Sequence, residues 1–599
     1  MKDLENIFDR SQSVLKRKTD QFLMPAEKSL QNKDSNFDLY PSHDLGAEKI
    51  FRGYGDLVDY IATKRTVCLD GFVGVDWNLM MLKISSALES KGITFCLINI
   101  SECLKPEHEI LKLTKPFLGE EESVWGTKCD LELRDFFDSE KLNALEIKED
   151  VDVRIVFGSG ASLVSFAHTL LYVDLPKNEL QYRMRAEEVN NLGVSSKKEN
   201  FKMYKHYYFI DWVVLSAEKK KLASTIEVII DGQHEECPSW TYMKSIRIAL
   251  SEMSRSAFRV RPWFEPGAWG GEWIKQNIND LNKNVINYAW AFSLIVPENG
   301  LLFESEGNLL EISFDFLMNQ ESRNILGAHE TRFGTEFPIR FNFLDTYKGG
   351  NLSVQCHPSL KYIQEEFGEN ITQDECYYIL DCDESASVYL GFQNDINPEK
   401  FRSELIRSQK DNVELAITEY VQKHPSKKHE LYLIPNGTVH SAGAGNMVLE
   451  ISATPYIFTF KMYDWLRLDL DGKPRPINID HAFNNLRFER KGDKVSQELF
   501  SHKKQIEVGD NFEIIQYPTH KEHFYEVRRL DFDTSITRNT QGSCQVMMLV
   551  EGQKVKLEVN GLCEVLNYAE TFVIPAAANE FKLTNLSSTR AKIVNAYLK

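Results

Sequence analysis

Four residues in the C-terminal half have the types and spacing of a divalent-metal site. Gln355 and His357 alternate along the strand-like run LSVQCHP, and a period of two aims both side chains at one face of a sheet. Glu375 lies 18 residues further on, at the start of ECYYILD, and His440 lies 83 residues after His357, at the end of ELYLIPNGTVH. Two imidazoles, one carboxylate and one amide oxygen suit a borderline cation such as zinc, with a position left open for water or substrate. Two histidines and a carboxylate also make the facial triad of non-haem iron sites, so spacing alone leaves an oxygenase as a further reading.

Bringing these side chains around one ion requires a sheet-rich frame. Beyond RVRPWFEPGAWGGEW, the runs FPIRFNFL, LSVQCHP, CYYILDC, SVYLGF, HELYLIP, MVLEISA and YIFTFKMY are short, aromatic or β-branched, and separated by turn residues. They predict an all-β unit over residues 255–490 that carries the site. QVMMLVEGQKVKLEV and TFVIPAAANEFKLTN predict a second small barrel or sandwich over 491–599. Gly437 and Gly443 bracket His440 and are expected to shape its loop.

The same words carry a family resemblance. LSVQCHP, ECYYILDCDESASVYLGF, PNGTVHSAGAGNMVLE and MYDWLR occur in the order and approximate spacing of the class I phosphomannose isomerases, preceded by the family-like WGG at Trp269 to Gly271. From about Arg261 to Lys599 the chain resembles that family throughout. The resemblance implies a double-cupin (jelly-roll) fold, one divalent metal, zinc, and interconversion of mannose 6-phosphate and fructose 6-phosphate. It puts Gln355, His357, Glu375 and His440 on the metal-ligand positions. A Lewis acid beside O1 and O2 polarises the carbonyl and stabilises the enediolate formed as a proton moves between C1 and C2.

Two departures from the family fall on the substrate side. Where the family has a Lys in the strand before the Gln-x-His run, this chain has Asn342, and where it has an Arg before the Tyr-Asp pair, this chain has Lys461. Lys461 keeps the charge but not the guanidinium fork, and Asn342 keeps neither. Neighbouring Arg340, Lys348 and Arg467 are cations able to take a phosphate. Arg340, Asn342 and Lys348 are therefore expected to bind substrate, and Lys461 and Arg467 to act in catalysis. The alternative is a non-catalytic cupin that senses sugar phosphate beside a pseudokinase-like domain.

The first half has a different texture. TVCLDG, the helix-like segment Trp77 to Lys91 and ITFCLINI alternate strand, helix, strand, and the pattern returns at RIVFGSGASL and LLYVDLP, which predicts an α/β domain over residues 51–254. TVCLDGFVGVDWNL sits where a P-loop would sit and resembles the phosphate-binding turn of uridine- and cytidylate-kinase-like proteins. In the G-x-x-x-x-G-K-[ST] frame begun at Gly71, Asp76 takes the second Gly, Trp77 the Lys and Asn78 the hydroxyl residue, so the charge that faces the β- and γ-phosphates is missing. LYVDLPKNELQYRMRAEE resembles the late strand and Arg-rich helix of such kinases, with Arg183 and Arg185 in the place of lid arginines. A degenerate P-loop domain without phosphoryl transfer is expected, the alternative being an unrelated α/β domain whose GFVG is a tight turn. Residues 1–50 read as an amphipathic helix followed by an irregular stretch.

At 599 residues the chain is well above the roughly 250–300 at which one core stops growing, which calls for several domains. The 42% hydrophobic and 26% charged composition excludes a disordered or fibrous class. A net charge of −18 disfavours non-specific contact with nucleic acid or anionic membrane. The expected partner is the small-molecule sugar phosphate that the family resemblance implies, with homo-oligomerisation left open. The opening lacks a signal-peptide core, and no run of about 18 apolar residues follows, so a cytoplasmic protein is expected. The ten cysteines include no CxxC pair, which argues against a disulfide framework or a structural zinc knuckle.

Overall fold

Short β-branched runs punctuated by amphipathic helices build the first half. Strands β1 (Ser42–Asp44), β2 (Phe51–Arg52), β3 (Thr66–Gly71), β4 (Phe95–Asn99), β5 (Val153–Phe157), β6 (Thr169–Asp174), β7 (Ile226–Asp231) and β8 (Ser239–Tyr242) occur in the computed structural model, which describes residues 17–28, 35–145, 150–166, 169–296, 298–453, 455 and 458–599. Seven of these strands form one sheet in the order β2-β8-β7-β6-β3-β5-β4, with β3 to β7 parallel. β5 and β6 are buried along their whole length, as befits parallel strands covered on both faces. Leu57, Val58 and Ile61 of the helix Tyr54–Ala62, with Met80, Ile84 and Leu88 of Trp77–Ser90, cover one face. Ile246 and Leu250 of the helix Met243–Met253 cover the other.

The strand, turn, helix succession expected around the P-loop position is present, but its helix terminus is already satisfied. Asp76 caps the helix Trp77–Ser90, its Oδ1 accepting the Leu79 N–H at 3.0 Å, so a carboxylate stands where a phosphate would gain from the free donors and the dipole. Gly74 in this turn has a left-handed φ of +96°, and a Cβ there would run into Leu180 of the helix Lys177–Arg185. Arg183 on that helix donates to the carbonyls of Gly74 at 3.1 Å and Gly232 at 2.9 Å and to Glu235 at 2.6 Å, while Arg185 pairs with Glu265 at 3.1 Å. Both arginines are held by the protein's own carbonyls and carboxylates.

The second half supplies β9 (Trp263–Glu265), β10 (Trp290–Leu294), β11 (Gly300–Ser305), β12 (Asn308–Ser313), β13 (Arg340–Asp345), β14 (Val354–Cys356), β15 (Asp374–Cys382), β16 (Ser387–Phe392), β17 (Val421–Pro425), β18 (Leu431–Ile434), β19 (His440–Ala442), β20 (Asn446–Ala453) and β21 (Phe460–Tyr463). They form a six-stranded sheet, β18-β15-β20-β13-β10-β9, facing a five-stranded sheet, β17-β16-β19-β14-β21. Inward residues of the two sheets, among them Leu344, Tyr377, Ile379, Val388, Leu390, Tyr432 and Ala442, share one apolar cluster. The outward residues of the six-stranded sheet, such as Phe341, Phe343 and Tyr378, pack with Tyr525, Val527 and Val546 of a C-terminal pair of six- and four-stranded sheets that begins at Lys504.

This second half is β-rich rather than all-β, which corrects the expectation from sequence. Helices Asp315–Leu326, Leu360–Phe367 and Pro398–Asp411 lie between its strands. The last begins with Asn397 capping Lys400 and Pro398 in the first turn, and buries Phe401, Leu405 and Ser408 at helical spacing. The amphipathic helix expected at the start of the chain lies, through residue 16, outside the described residues. The stretch that follows is not merely a tether, because β1 pairs in parallel with β11, and Arg17 pairs with Glu179 at 2.7 Å. No helix among the described residues is long and apolar enough to cross a membrane.

The two halves meet at the carboxyl ends of the parallel strands, where open α/β sheets bind their ligands. Asp174, at the end of β6, accepts the Ser313 N–H at 2.6 Å and its hydroxyl at 2.7 Å. Asp231, at the end of β7, accepts the Glu311 N–H at 2.9 Å. Strand β12 therefore fills that crevice, and Glu311 is in turn held by Arg261 at 2.9 Å.

Candidate metal centre

Backbone pairing brings the predicted ligands together from both sheets. In the five-stranded sheet Gln355 pairs with His440 on one side and Lys461 on the other, and His440 pairs with Leu390, so Leu390, His440, Gln355 and Lys461 form one rung. Directly paired residues point to the same face of an antiparallel sheet, here the inside of the sandwich. His357, two residues past Gln355, follows it on that face. In the six-stranded sheet Glu375 pairs with Ser452, which pairs with Arg340, and the next rung runs Tyr377, Glu450, Asn342, Phe292.

The three ionisable side chains converge on one point. His357 Nε2 lies 3.2 Å from Glu375 Oε2, and His440 Nε2 lies 3.0 Å from Glu375 Oε1. One ligand atom from each of the three lies within 4.8 Å of the others, all three residues are buried, and among the described residues no other group of three has this arrangement. His357 Nδ1 donates to the Phe458 carbonyl at 2.9 Å, and His440 Nδ1 donates to the Thr438 carbonyl at 2.9 Å. These bonds fix the tautomer that leaves each Nε2 lone pair aimed inward, the form that binds a cation.

His357 Nε2 and Glu375 Oε1 are buried without a hydrogen-bond partner, a condition a divalent cation would relieve. Gln355 Nε2 lies 3.3 Å from His440 Nε2 while its Oε1 accepts from Ser353 at 3.1 Å. Because Ser353 can donate or accept, a half-turn of the amide presents its oxygen to the same point and keeps the serine bond. The four residues thus fit one borderline divalent ion. Gly437, with a left-handed φ of +76°, sets the turn before His440 and donates its N–H to the His357 carbonyl at 2.8 Å; a Cβ there would collide with the Asn485 carbonyl. Gly443 makes the close approach to Ser387 that a side chain would block, donating to its carbonyl at 2.9 Å.

Charge at the site is set by burial and pairing. Burial alone would lower the His357 pKa, but the Glu375 carboxylate outweighs it and raises it. Burial opposes ionisation of Glu375, yet His357 and His440 hold it well below the usual carboxylate range. Lys461 is driven down to about 8, first by burial and then by the Arg475 guanidinium, against the pull of Asp464. Arg467 and Arg475 both reach Asp464 Oδ1 at 2.6 Å, so two guanidinium groups share one carboxylate beside the Lys461 rung.

The remaining sequence-derived candidates are less uniformly placed. Asn342 faces the cleft next to Glu450, with its Oδ1 buried and without a hydrogen-bond partner. Arg340 shares that face, but its Nη2 donates to the carbonyls of Val296 at 2.9 Å and Pro455 at 3.0 Å. Lys348 is exposed on the turn after β13, its nitrogen 5.8 Å from the Tyr347 ring centre.

Sequence reasoning missed Glu450. Burial, and next the Glu375 carboxylate, push its carboxyl up to about 8, against the pull of Ser452, His357 and Asn342. It lies ten residues after His440 in GNMVLEISA, where a lone acid at an inward position of an apolar strand was the available signal.

Two stacked sheets with two imidazoles and a carboxylate converging on their inside define a jelly-roll region with a candidate metal centre. Comparison with known proteins finds relatives for part of the chain. Residues 53–255 match a family described as a domain of unknown function (DUF8485). Mannose-6-phosphate isomerase ManA of Bacillus subtilis is 26% identical over 227 residues, 38% of this chain and 67% of that protein. Mannose-6-phosphate isomerase of Streptococcus mutans is 27% identical over 219 residues, 36% of this chain and 64% of that protein. The chain is thus homologous to type I mannose-6-phosphate isomerases over about 38% of its length. Among solved structures, that of the mannose 6-phosphate isomerase from Bacillus subtilis matches 57% of this chain and 99% of its own with TM-score 0.46 and 20% identity.

Proposed function

We propose that the protein is a metal-dependent aldose–ketose isomerase that interconverts mannose 6-phosphate and fructose 6-phosphate through an enediol(ate). The observation that carries this reading is the buried convergence of His357, Glu375 and His440 next to a second acid, Glu450, on a neighbouring rung. Homology to mannose-6-phosphate isomerases supports sugar-phosphate isomerase activity.

Gln355, His357, Glu375 and His440 would hold one divalent ion, for which zinc suits the donor set. When bound, it supplies Lewis acidity toward the O1 and O2 oxygens of the sugar. Glu450 takes the proton from C2 of the aldose and returns it to C1, the reverse path running from ketose to aldose. A carboxyl poised near neutrality matches that two-way role. Asn342 and Tyr377, on either side of Glu450, orient the sugar hydroxyls. Lys461 balances negative charge that develops on the substrate oxygens, and Arg467 acts beside it. Arg340 and Lys348 complete the cationic surroundings for the phosphate.

The test is a coupled assay of mannose 6-phosphate conversion by the full chain, before and after chelation and after zinc is restored. Turnover lost on chelation and regained with zinc is the expected outcome. A zinc-loaded protein that binds the sugar phosphate without turning it over would replace this reading with that of a sensor.

A further inference from the structure

The first half of the chain reaches into the metal centre's support. Between β20, which carries Glu450, and β21, which carries Lys461, the chain passes through Pro455 and Phe458. Phe458 is the residue whose carbonyl accepts the His357 Nδ1–H at 2.9 Å. Two aromatic residues from the matched 53–255 region bear on this connection.

Tyr208 lies in a single π-helical turn, Tyr207–Asp211, inserted between the helices Asn200–His206 and Trp212–Leu222, and all five residues of the turn are buried. Such turns re-aim side chains at the expense of regular hydrogen bonding and cluster at functional places. The Tyr208 hydroxyl stands 2.9 Å from the Pro455 carbonyl oxygen and 3.0 Å from Glu369 Oε1. Arg340 donates to the same Pro455 carbonyl at 3.0 Å, and Lys128 holds the other oxygen of Glu369 at 2.8 Å. Trp125 packs edge-on against Phe460, the residue before Lys461, at 5.0 Å, and lies 6.1 Å from Phe367, which in turn meets Phe458 at 5.1 Å. Trp125 is followed by Gly126, where a Cβ would meet the Phe117 carbonyl and the Phe209 ring of the same π turn. The α/β half therefore touches this part of the chain at Pro455 through Tyr208 and at Phe460 through Trp125.

We propose that Tyr208 and Trp125 are positioning residues for the metal centre: the α/β half clamps the β20 to β21 connection so that the Phe458 carbonyl holds the His357 ring in its ligating orientation. The clamp rests on the metal reading given above. Partners that orient a ligating histidine from outside typically change metal affinity 10–100-fold when lost, and a residue one step further out belongs at the lower end of that range.

The experiment uses the full chain and its Tyr208→Phe variant, which keeps the ring and removes the hydroxyl. Zinc affinity is read by competition with a chromophoric chelator, ligand geometry by the visible absorption of the Co2+-loaded protein, and stability by the melting temperature. A loss of about tenfold in zinc affinity with an altered Co2+ spectrum is expected. Trp125→Ala should behave likewise, and Trp125→Phe should recover much of the affinity. Tyr60→Phe, which removes a hydroxyl bonded to Glu227 on the far side of the sheet, should leave both readings unchanged. If Tyr208→Phe melts earlier but binds zinc and absorbs as the parent does, the residue is structural only and the clamp is overturned. If Tyr208→Phe does not fold, Glu369→Gln reads the same connection. A parent protein that takes up neither Zn2+ nor Co2+ overturns the metal reading itself, and the clamp with it.

Discussion

Asn342 and Glu450 are directly opposed across β13 and β20, on the inside of the sandwich and one rung from Glu375. Desolvation and then the Glu375 carboxylate push the Glu450 carboxyl up, and the uncharged Asn342 amide offsets this only in part. Glu450→Gln keeps the shape and removes the proton carrier. Its kcat should fall by about 10²–10⁴ while metal content stays at the parent level. Unchanged turnover would remove Glu450 from the proton path.

Asn342→Lys would place an ammonium opposite Glu450. A nearby positive charge favours the carboxylate, so the Glu450 titration should move to lower pH and the acidic limb of the rate profile with it. A pH–rate profile of the variant that overlays the parent's would show that Glu450 does not set that limb.

His440→Ala removes an imidazole whose Nδ1 is committed to the Thr438 carbonyl and whose Nε2 points at Glu375. Elemental analysis should show substantial loss of bound metal. In the parent, protons compete with metal for the ligating nitrogens, so affinity should weaken as pH falls. Full metal retention in His440→Ala would exclude it as a ligand.

Lys461 pairs with Gln355 and titrates near 8 because burial and Arg475 disfavour its charge. Its ammonium is present below that pH and lost above it, so a rate limb that needs the charge should fall on the alkaline side. Lys461→Ala should lose about 1.5–3 kcal/mol of transition-state stabilisation, one to two decades in kcat/KM, and keep its metal. Lys461→Arg should keep activity and push the alkaline limb upward. An unchanged rate in Lys461→Ala would place the lysine outside the site.

The α/β half should not transfer phosphate, because Trp77 stands where the lysine of such chemistry would stand and Asp76 occupies the helix terminus. ATP-dependent phosphorylation of any nucleoside, abolished by changing Asp70, would contradict this. Asp76→Ala should instead cost about 1 kcal/mol of stability, the usual effect of losing an N-cap, and show as a lower melting temperature.

The convergence of Gln355, His357, Glu375 and His440 was legible because strand periodicity and local words both point to these residues, and the fold brings all four together. The strands themselves were legible as β-branched runs bounded by turns. Glu450 was not, because its meaning depends on register: only the pairing of β20 with β13 and β15 shows that it lies between Asn342 and Tyr377. The helix Pro398–Asp411 carried its own signals in Asn397, Pro398 and the spacing of Phe401 and Leu405, and the surrounding strand texture masked them. The burial of Arg340 against the carbonyls of Val296 and Pro455 and the crossing bonds of Asp174 and Asp231 depend on contacts between distant segments, which no local pattern encodes.

The acids at the ends of β6 and β7 spend their hydrogen-bonding capacity on Ser313 and Glu311, more than seventy-five residues away along the chain. In terms of descent, this makes the junction a one-way join. A recombination event that carried off the segment up to residue 255 would strip Asp174 and Asp231 of the amides that satisfy them and bare the backbone of β12. Each fragment would begin with unpaired polar groups at its new surface, so gene shuffling would favour inheriting the two halves together over trading either one as a module.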